Sequence, residues 1–224
     1  MNALSFSALT KSELAQVVAE RPCCQLSELA GLARVAGRLV RGTAGHRLQI
    51  RTENPAVARK ILRLVRAVFG HQGNLSVRQQ RRLRGKRLFC LELPVDAKTA
   101  MVVLGLTDRF GHRVDSIRRV FVRRACCRQA YLRGLFLGRG WVNGRLPSYH
   151  LEFVSPSRSF AVALRELLAE YGISGWVGAR QKNYVVYVKK SGAVSDCLQL
   201  MGASGALLSF ENQRVLRDVK NHVN

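Results

Sequence analysis

The feature that most constrains the fold of this chain is an internal repeat. Two segments begin with a pair of adjacent cysteines and continue with the same spacing of leucine and glycine. They read CCQLSELAGLARVAG at residues 23–37 and CCRQAYLRGLFLGRG at residues 126–140. Six positions agree without a gap, which indicates a duplication, and a duplicated chain is expected to fold as two similar units.

The rest of each half supports the duplication. Residues 54–70 and 155–172 each open with Asn-Pro or Ser-Pro, continue with apolar residues at helical spacing and end in glycine. A capping side chain, a proline in the first turn and a glycine after the last turn predict a helix between them. Apolar and polar residues alternate at 47–52 and 148–153, which predicts a strand in each half.

The other predicted elements complete a fold that is the same in both halves. We predict additional strands at residues 38–42, 75–80, 87–93, 140–144, 174–180 and 184–190, and closing helices near 97–105 and 192–202. Each unit then has the order αββαββα. The predicted fold class is α+β, a pseudo-dimer with two four-stranded antiparallel sheets that helices cover on one face.

The same pattern gives a domain organisation. Thr10 and Glu13 have the spacing of a capping box, which indicates an added helix in the N-terminal run 5–19. We predict an N-terminal helix at 1–20, a first repeat at 21–106, a linker at 107–122, a second repeat at 123–204 and a helical tail at 205–224.

The charge of the chain is the strongest indication of its partner. The 224 residues carry 37 Lys and Arg against 14 Asp and Glu, a formal net charge of +23. Most of these cations are arginines, which contact phosphates in a bidentate manner, and a chain this cationic repels itself unless a polyanion neutralises it. Because the cations are spread over the whole length, we expect a nucleic acid and not a membrane surface as the partner.

Several classes of protein and site are excluded by the sequence. No apolar run is long enough for a membrane span, and the N-terminal residues lack the apolar core of a secretory signal, so we expect a cytoplasmic, nucleoid-associated protein. Six cysteines occur without any CxxC or HxxxH pair, so we expect buried reduced thiols, no metal site and no cofactor. A phosphate-binding GxxxxGK[ST] loop is also absent from the sequence.

The duplicated helix motif and the αββαββα order resemble the LAGLIDADG homing endonuclease family. Residues 29–37 read LAGLARVAG, close to the motif that names the family. The resemblance implies that the two motif helices pack against each other at a pseudo-two-fold axis. A glycine inside a helix costs about 1 kcal/mol relative to alanine, and Gly31 and Gly134 are expected at this seam because they let two backbones approach closely.

The chain is more narrowly similar to the WhiA family of bacterial sporulation and cell-division regulators. The matching stretches are TEN at 52–54, CCRQAYLRG at 126–134, YHLE at 149–152 and FENQRV at 210–215, and the resemblance covers nearly all of residues 5–224. Members of that family continue into a helix-turn-helix DNA-binding domain. The resemblance therefore implies that the tail leads to such a domain, and we expect this chain to be a fragment.

The resemblance also identifies the positions at which a nuclease keeps its catalytic acids. An active LAGLIDADG nuclease has a carboxylate at the eighth position of each nine-residue motif, and the pair binds divalent metal. Those positions hold Ala36 and Arg139 in this chain, and neither side chain can bind Mg²⁺. The flanking residues offer no acid either, so we expect no enzymatic activity.

The resemblance further implies that the sheets form a saddle whose strands lie in the major groove of DNA. Alternation places Arg47, Gln49 and Arg51 on the face away from the helices, and the densest cationic segment, 78–87, spans a strand end and a hairpin turn. The predicted DNA-binding residues are Arg47, Gln49, Arg51, Arg78, Gln80, Arg81, Arg82, Arg84, Lys86, Arg145, Arg180, Lys182 and Lys189.

The resulting hypothesis is a DNA-binding transcription regulator of sporulation, cell division and chromosome segregation with a catalytically inactive LAGLIDADG-like module. Double-stranded DNA is the expected partner, with another transcription regulator as a second one. A monomer is expected because the pseudo-dimer satisfies two-fold symmetry within one chain. The alternatives are a protein-interaction scaffold that no longer contacts DNA, an active homing endonuclease, and an RNA-binding module that stacks bases on Trp176 and Tyr184.

Overall fold

The fold consists of two units with the same order of helices and strands. A computed structural model describes residues 5–42, 45–80, 86–144, 149–181 and 183–223, and the side chains of Gln80, Lys86 and residues 217–223 lie outside the described part. The first unit comprises α2 (Pro22–Ala36), β1 (Gly37–Gly42), β2 (Gly45–Thr52), α3 (Pro55–Phe69), β3 (Asn74–Gln80), β4 (Lys86–Glu92) and α4 (Ala97–Val103). The second unit comprises α5 (Ala125–Arg139), β5 (Gly140–Asn143), β6 (His150–Ser155), α6 (Arg158–Ala169), β7 (Trp176–Arg180), β8 (Asn183–Val188) and α7 (Ser191–Met201).

Three further elements flank or join the two units. Helix α1 (Phe6–Leu14) precedes the first unit, a short 3-10 helix (Arg119–Phe121) lies between the units, and α8 (Ser204–Val223) follows the second. Within the described ranges, no helix combines the length and the apolar character needed to cross a membrane. The predicted order αββαββα is confirmed in both halves.

Each unit forms one four-stranded antiparallel sheet, as predicted. The strand orders are β1-β2-β4-β3 and β5-β6-β8-β7, which are equivalent. Leu48 and Ile50 on β2 are buried against the helices, as are Leu151 and Phe153 on β6. Helices α3 and α6 pack on these apolar faces. Each sheet therefore has one face covered by helices and one open face.

The ends of α3 follow the predicted capping pattern, whereas the start of α6 does not. The Asn54 side chain accepts hydrogen bonds from the backbone N–H groups of Ala56 and Val57, and Gly70 ends α3 with a left-handed φ of 75°. Helix α6 begins at Arg158 rather than after Ser155-Pro156, because Ser157 is the residue whose hydroxyl accepts from the Phe160 N–H. The cap of α6 therefore lies two residues after the predicted one, Ser155.

Helices α2 and α5 cross at a seam in which glycine is sterically required. A Cβ atom added to Gly31 would lie 2.4 Å from the Tyr131 carbonyl oxygen, and one added to Gly134 would lie 2.1 Å from the Glu28 carbonyl oxygen. Both distances are far below van der Waals contact, so the two backbones touch at these residues. The close approach explains why two helices tolerate glycine near their centres.

Replacing Gly134 with alanine is expected to lower the free energy of unfolding by about 1–3 kcal/mol, because the added methyl group forces the two backbones apart. Gly192 is a matched control, since it also lies in a helix but a Cβ atom there would meet nothing within 4 Å. Chemical denaturation monitored by circular dichroism should leave Gly192→Ala within about 1 kcal/mol of wild type. Equal stability of the two variants would contradict the tight seam.

The seam also contains a buried cluster of three charged side chains from α2, α3 and α5. The Glu28 carboxylate accepts hydrogen bonds from Arg133 Nε and Nη2, each at 3.0 Å, and lies 2.6 Å from Lys60 Nζ. Glu28 is fully buried, and Lys60 and Arg133 are 2% and 7% exposed. Burial lowers the pKa of Lys60 to about 8, so it is charged at neutral pH. One acid therefore links three helices across both units.

Helix α1 connects the beginning and the end of the described chain, in a way that corrects the predicted capping box. The helix starts five residues earlier than that box implies, because Ser5 is its cap and the Thr10 hydroxyl donates to the Phe6 carbonyl inside the helix. The Glu13 carboxylate instead accepts hydrogen bonds from the backbone N–H groups of Gly205 and Ala206, at 2.7 and 2.9 Å. Glu13 is thus a long-range cap for the first turn of α8.

Candidate nucleic-acid interface

The open face of the first sheet carries a row of cationic and polar side chains. Strand register places Arg47, Gln49 and Arg51 on this face, because the intervening Leu48 and Ile50 are buried under the helices. Arg38 on β1 pairs with Gln49 and so lies on the same face. Arg78 on β3 also lies on this face, because it pairs with Leu88, two residues from the Cys90 that pairs with Arg51. Arg38 and Arg78 are exposed to solvent.

Gln49 requires a correction among the predicted DNA-binding residues. Its side chain is fully buried, its amide oxygen accepts from Arg51 Nε at 2.7 Å, and its amide nitrogen donates to Glu92 at 3.3 Å. Both ends of the amide are therefore already bonded within the sheet. Gln49 positions the Arg51 guanidinium and does not present an amide to a base edge.

The open face of the second sheet combines aromatic rings with an ion-paired acid. Trp141, Glu152, Tyr187 and Trp176 form one cross-strand row, and Trp176 is 70% exposed. The Glu152 carboxylate accepts a hydrogen bond from Arg180 at 3.0 Å. Its other oxygen lies 3.3 Å from His150 Nε2, so the carboxylate contacts a side chain on each side.

Tyr184 and Lys189, both near this sheet, differ in what they offer to a ligand. Tyr184 pairs with Ser155 and Ala179 on the face that the helices cover, so it is misplaced as a stacking residue for RNA. Lys189 is exposed just after β8, with its ammonium 5.9 Å from the centre of the Tyr187 ring. Lys189 therefore extends the cationic and aromatic surface of the open face.

A cleft lies at the C-terminal ends of the two motif helices and contacts both sheets. Its volume is about 910 Å³, and its walls include Ala36 at the end of α2 and Arg139 at the end of α5. A Cβ atom added to Gly138 would lie 3.5 Å from the Cβ of Ala36, so the helix ends are in contact. The cationic residues that line the cleft are Lys11, Arg38, Arg51, Arg87 and Arg139.

The electrostatics of the cleft favour an anionic ligand. Burial lowers the pKa of Lys11 to about 8, with Glu53 opposing this shift and Arg139 adding to it, so the ammonium is charged at pH 7. Burial also lowers the pKa of Arg139, and Arg38 adds to the effect. Lys11 and Arg139 are thus incompletely solvated, and each is repelled by a neighbouring arginine. An entering phosphate would relieve both costs.

The cleft does not fit the paired metal ions of a LAGLIDADG nuclease. Ala36 supplies no donor atom, and Arg139 carries the same sign of charge as the metal. Glu53 is the single carboxylate among the described residues that line the cleft. One acid surrounded by five cations does not provide the carboxylate pair that a two-metal phosphodiesterase site requires.

Part of the predicted interface lies outside the described residues. Arg81, Arg82, Arg84, Arg145 and Lys182 belong to the undescribed stretches, as do the side chains of Gln80 and Lys86. The structure also adds two cations that were not predicted from the sequence, Arg38 and Lys11, and places Arg87, the last residue of the cationic segment 78–87, in the lining of the cleft. Alternation along β1 was a usable signal for Arg38, whereas the packing of α1 beside the cleft gave no local signal for Lys11.

Comparison with family models matches both halves of the chain. Residues 22–107 match the WhiA N-terminal LAGLIDADG-like domain, and residues 128–220 match the WhiA LAGLIDADG-like domain. The "Probable cell division protein WhiA" of Heliobacterium modesticaldum is 41% identical over 224 residues, which cover 99% of this chain and 70% of the relative. The protein of that name from Desulforamulus reducens is 40% identical over 225 residues, with the same shares covered.

Solved structures show the same fold at lower sequence identity. The full-length DUF199/WhiA from Thermatoga maritima has a TM-score of 0.75 and 20% identity, over 96% of this chain and 67% of that one. The homing endonuclease I-DmoI, crystallised in complex with DNA and Mn, has a TM-score of 0.56 and 10% identity. That match covers 81% of this chain and 98% of I-DmoI.

Proposed function

This chain belongs to the WhiA family, and from that premise we propose that its two open sheet faces and the cleft between them bind duplex DNA without cleaving it. The observation that carries the proposal is the set of cations around the cleft, where five basic side chains surround one carboxylate. The cleft lies where the two motif helices end and contacts both sheets, so the phosphates of a duplex placed along the saddle would lie in the positive field of these cations.

The role that follows is that of a regulator rather than an enzyme. Relatives that cover nearly all of this chain are named as cell division proteins, and we propose that DNA binding serves the regulation of sporulation, cell division and chromosome segregation. I-DmoI, which has the same fold, was crystallised with DNA and Mn, which supports a DNA-binding saddle. We further propose that the chain acts as a monomer, because the two units already form the pseudo-two-fold axis.

The first experiment measures duplex affinity as a function of salt and nuclease activity in the same preparation. A saddle that neutralises about six phosphates should give a slope near −5 in a plot of log K against log salt. Supercoiled plasmid incubated with Mg²⁺ or Mn²⁺ should stay intact, because the eighth motif positions hold Ala36 and Arg139.

Two results would contradict this account in different ways. Metal-dependent nicking of the plasmid that co-purifies with this chain would show that other residues bind the metal. The chain would then be an active endonuclease. Affinity for duplex DNA that is undetectable at low salt would favour a scaffold that binds another protein through the same saddle.

A further inference from the structure

The two cysteine pairs of the repeat converge at the opposite end of the motif helices from the cleft. Cys23 and Cys24 lie in the first turn of α2, and Cys126 and Cys127 lie in the first turn of α5. The Sγ atoms of Cys23, Cys24 and Cys127 are all within 4.8 Å of one another. Packing of the two units about the pseudo-two-fold axis thus brings thiols from two distant segments into one cluster.

Cys126 completes this cluster as the fourth thiol. Its side chain packs against the same small group as those of Cys23, Cys24 and Cys127, and its sulfur lies outside the set of three that are within 4.8 Å of one another. Cys24 and Cys127 are buried, while Cys23 and Cys126 are partly exposed. The cluster therefore has an inner pair of sulfurs and an outer pair that solvent can reach.

Two arginines lie beside the outer sulfurs. Arg124 Nη1 is 3.8 Å from the Cys23 sulfur, and Arg21 Nη1 is 4.0 Å from the Cys126 sulfur. Arg124 precedes α5 and contacts a cysteine of α2, and Arg21 precedes α2 and contacts a cysteine of α5, so the arrangement is reciprocal. Neither helix start has a side-chain cap, and the cysteines lie in the first turn, at the positive end of each helix dipole. Both features stabilise negative charge on sulfur.

The cluster is separate from the main hydrophobic core. Cys24 and Cys127 pack with Ala130 in a small group of their own, bordered by Ala19 and the two outer cysteines. The remaining cysteines, Cys90 and Cys197, are buried elsewhere and are not members of this group.

We propose that the four thiols of Cys23, Cys24, Cys126 and Cys127 bind one thiophilic divalent metal ion of the zinc class. Tetrahedral zinc–thiolate bonds of about 2.3 Å place the sulfurs about 3.8 Å apart. Small side-chain rotations would bring the sulfurs of Cys23, Cys24 and Cys127 to that spacing, and a rotation of the partly exposed Cys126 side chain would supply the fourth ligand. Four thiolates and a divalent ion carry a net charge of −2, which Arg21 and Arg124 offset. Binding joins the starts of α2 and α5 at the point where the two units meet.

Ligand spacing within a single segment of the sequence predicts no metal site in this chain. Each Cys-Cys pair has only adjacent ligands, which match no common zinc motif. The full set exists only after the two units pack. A duplicated fold can therefore build a site that neither repeat encodes alone.

The test uses the full 224-residue chain, reduced and freed of metal by chelation, with zinc as the probe and no nucleic acid present. The expected result is one zinc per chain by elemental analysis and an increase in Tm of about 5 °C or more at zinc a hundredfold above Kd. Cobalt in place of zinc should give the strong visible absorption of a tetrahedral thiolate site.

The variant comparison isolates the cluster from other thiol effects. Cys23→Ala with Cys126→Ala should lose at least about 100-fold in zinc affinity and the Tm increase, because two of four ligands are gone. Cys90→Ala with Cys197→Ala removes the same number of buried or partly buried thiols outside the cluster and should bind zinc like wild type. Circular dichroism of each metal-free variant separates ligand loss from misfolding.

The proposal is overturned if the reduced wild-type chain binds no stoichiometric zinc, or binds it no more tightly than the Cys23→Ala, Cys126→Ala variant. It is also overturned if peptide mapping of the chain prepared without reductant finds a disulfide within the cluster and the reduced chain does not bind zinc. The result is independent of DNA affinity, so failure here leaves the proposed function untouched.

Discussion

Replacing Glu28 with alanine is expected to lower the free energy of unfolding by about 3–5 kcal/mol. The variant leaves Lys60 and Arg133 buried without the carboxylate that both contact, at 2.6 and 3.0 Å. Breaking a buried ion pair by removing one partner costs this much because the remaining charge is neither solvated nor paired. Here a single substitution leaves two such charges, which belong to helices of different units.

The Glu28 prediction is checked by urea denaturation against an exposed ion pair of the same chemistry. Glu170 lies 3.4 Å from Arg128 and is 54% exposed at its side chain. Glu170→Ala should change the free energy of unfolding by less than about 1 kcal/mol, because solvent replaces the lost partner. A Glu28→Ala variant that is no less stable than Glu170→Ala would show that the buried cluster does not hold the two units together.

The sequence predicted the layers of the fold because the decisive signals are local or repeated. Alternation at Leu48 and Ile50 identifies the covered face of a strand without knowledge of what covers it. The recurrence of Gly31 as Gly134 points to a close approach of two helices, and the added Cβ atoms at both would clash with the partner backbone. Periodicity and duplication are therefore sufficient for the fold.

The features that the sequence analysis missed all depend on contacts between distant segments. Gln49 sits on the predicted face of its strand, but its burial depends on Glu92 and Arg51 beside it. Glu13 has a nearby threonine at capping-box spacing, yet its carboxylate bonds the first turn of α8. A local sequence pattern predicts the face of a helix or strand on which a residue lies. It does not predict which residues of other segments contact that face.

The sequence predicts that the candidate site is cationic and lacks the catalytic acids, but it predicts only some of the residues that line the cleft. The absence of acids at Ala36 and Arg139 follows from the motif alone, and the structure places both at the cleft. Lys11 joins them only because α1 packs beside the helix ends. The depth of the cationic cleft therefore depends on a helix outside the repeat.

Charge reversal on the open face of the first sheet is expected to reduce duplex affinity by about 100-fold. Arg38, Arg47 and Arg78 share that face by strand register, and reversing all three to glutamate removes about three phosphate contacts and adds repulsion. The slope of log K against log salt should become shallower by about 3, one for each lost cation.

The matched control reverses three arginines on the helices that cover the sheets. Arg59 and Arg66 on α3 and Arg165 on α6 are exposed, and their change to glutamate alters the net charge of the chain by the same amount. Any effect of overall charge is common to both variants. The difference between them therefore reports the face that contacts DNA.

The ratio of duplex affinities of these two charge-matched variants is the most direct test of the DNA-binding saddle. A fluorescence-anisotropy titration at fixed salt should find the Arg59, Arg66 and Arg165 variant within about tenfold of wild type and the open-face variant about 100-fold weaker. Equal losses in the two variants, or a greater loss in the variant of the covering helices, would contradict the account.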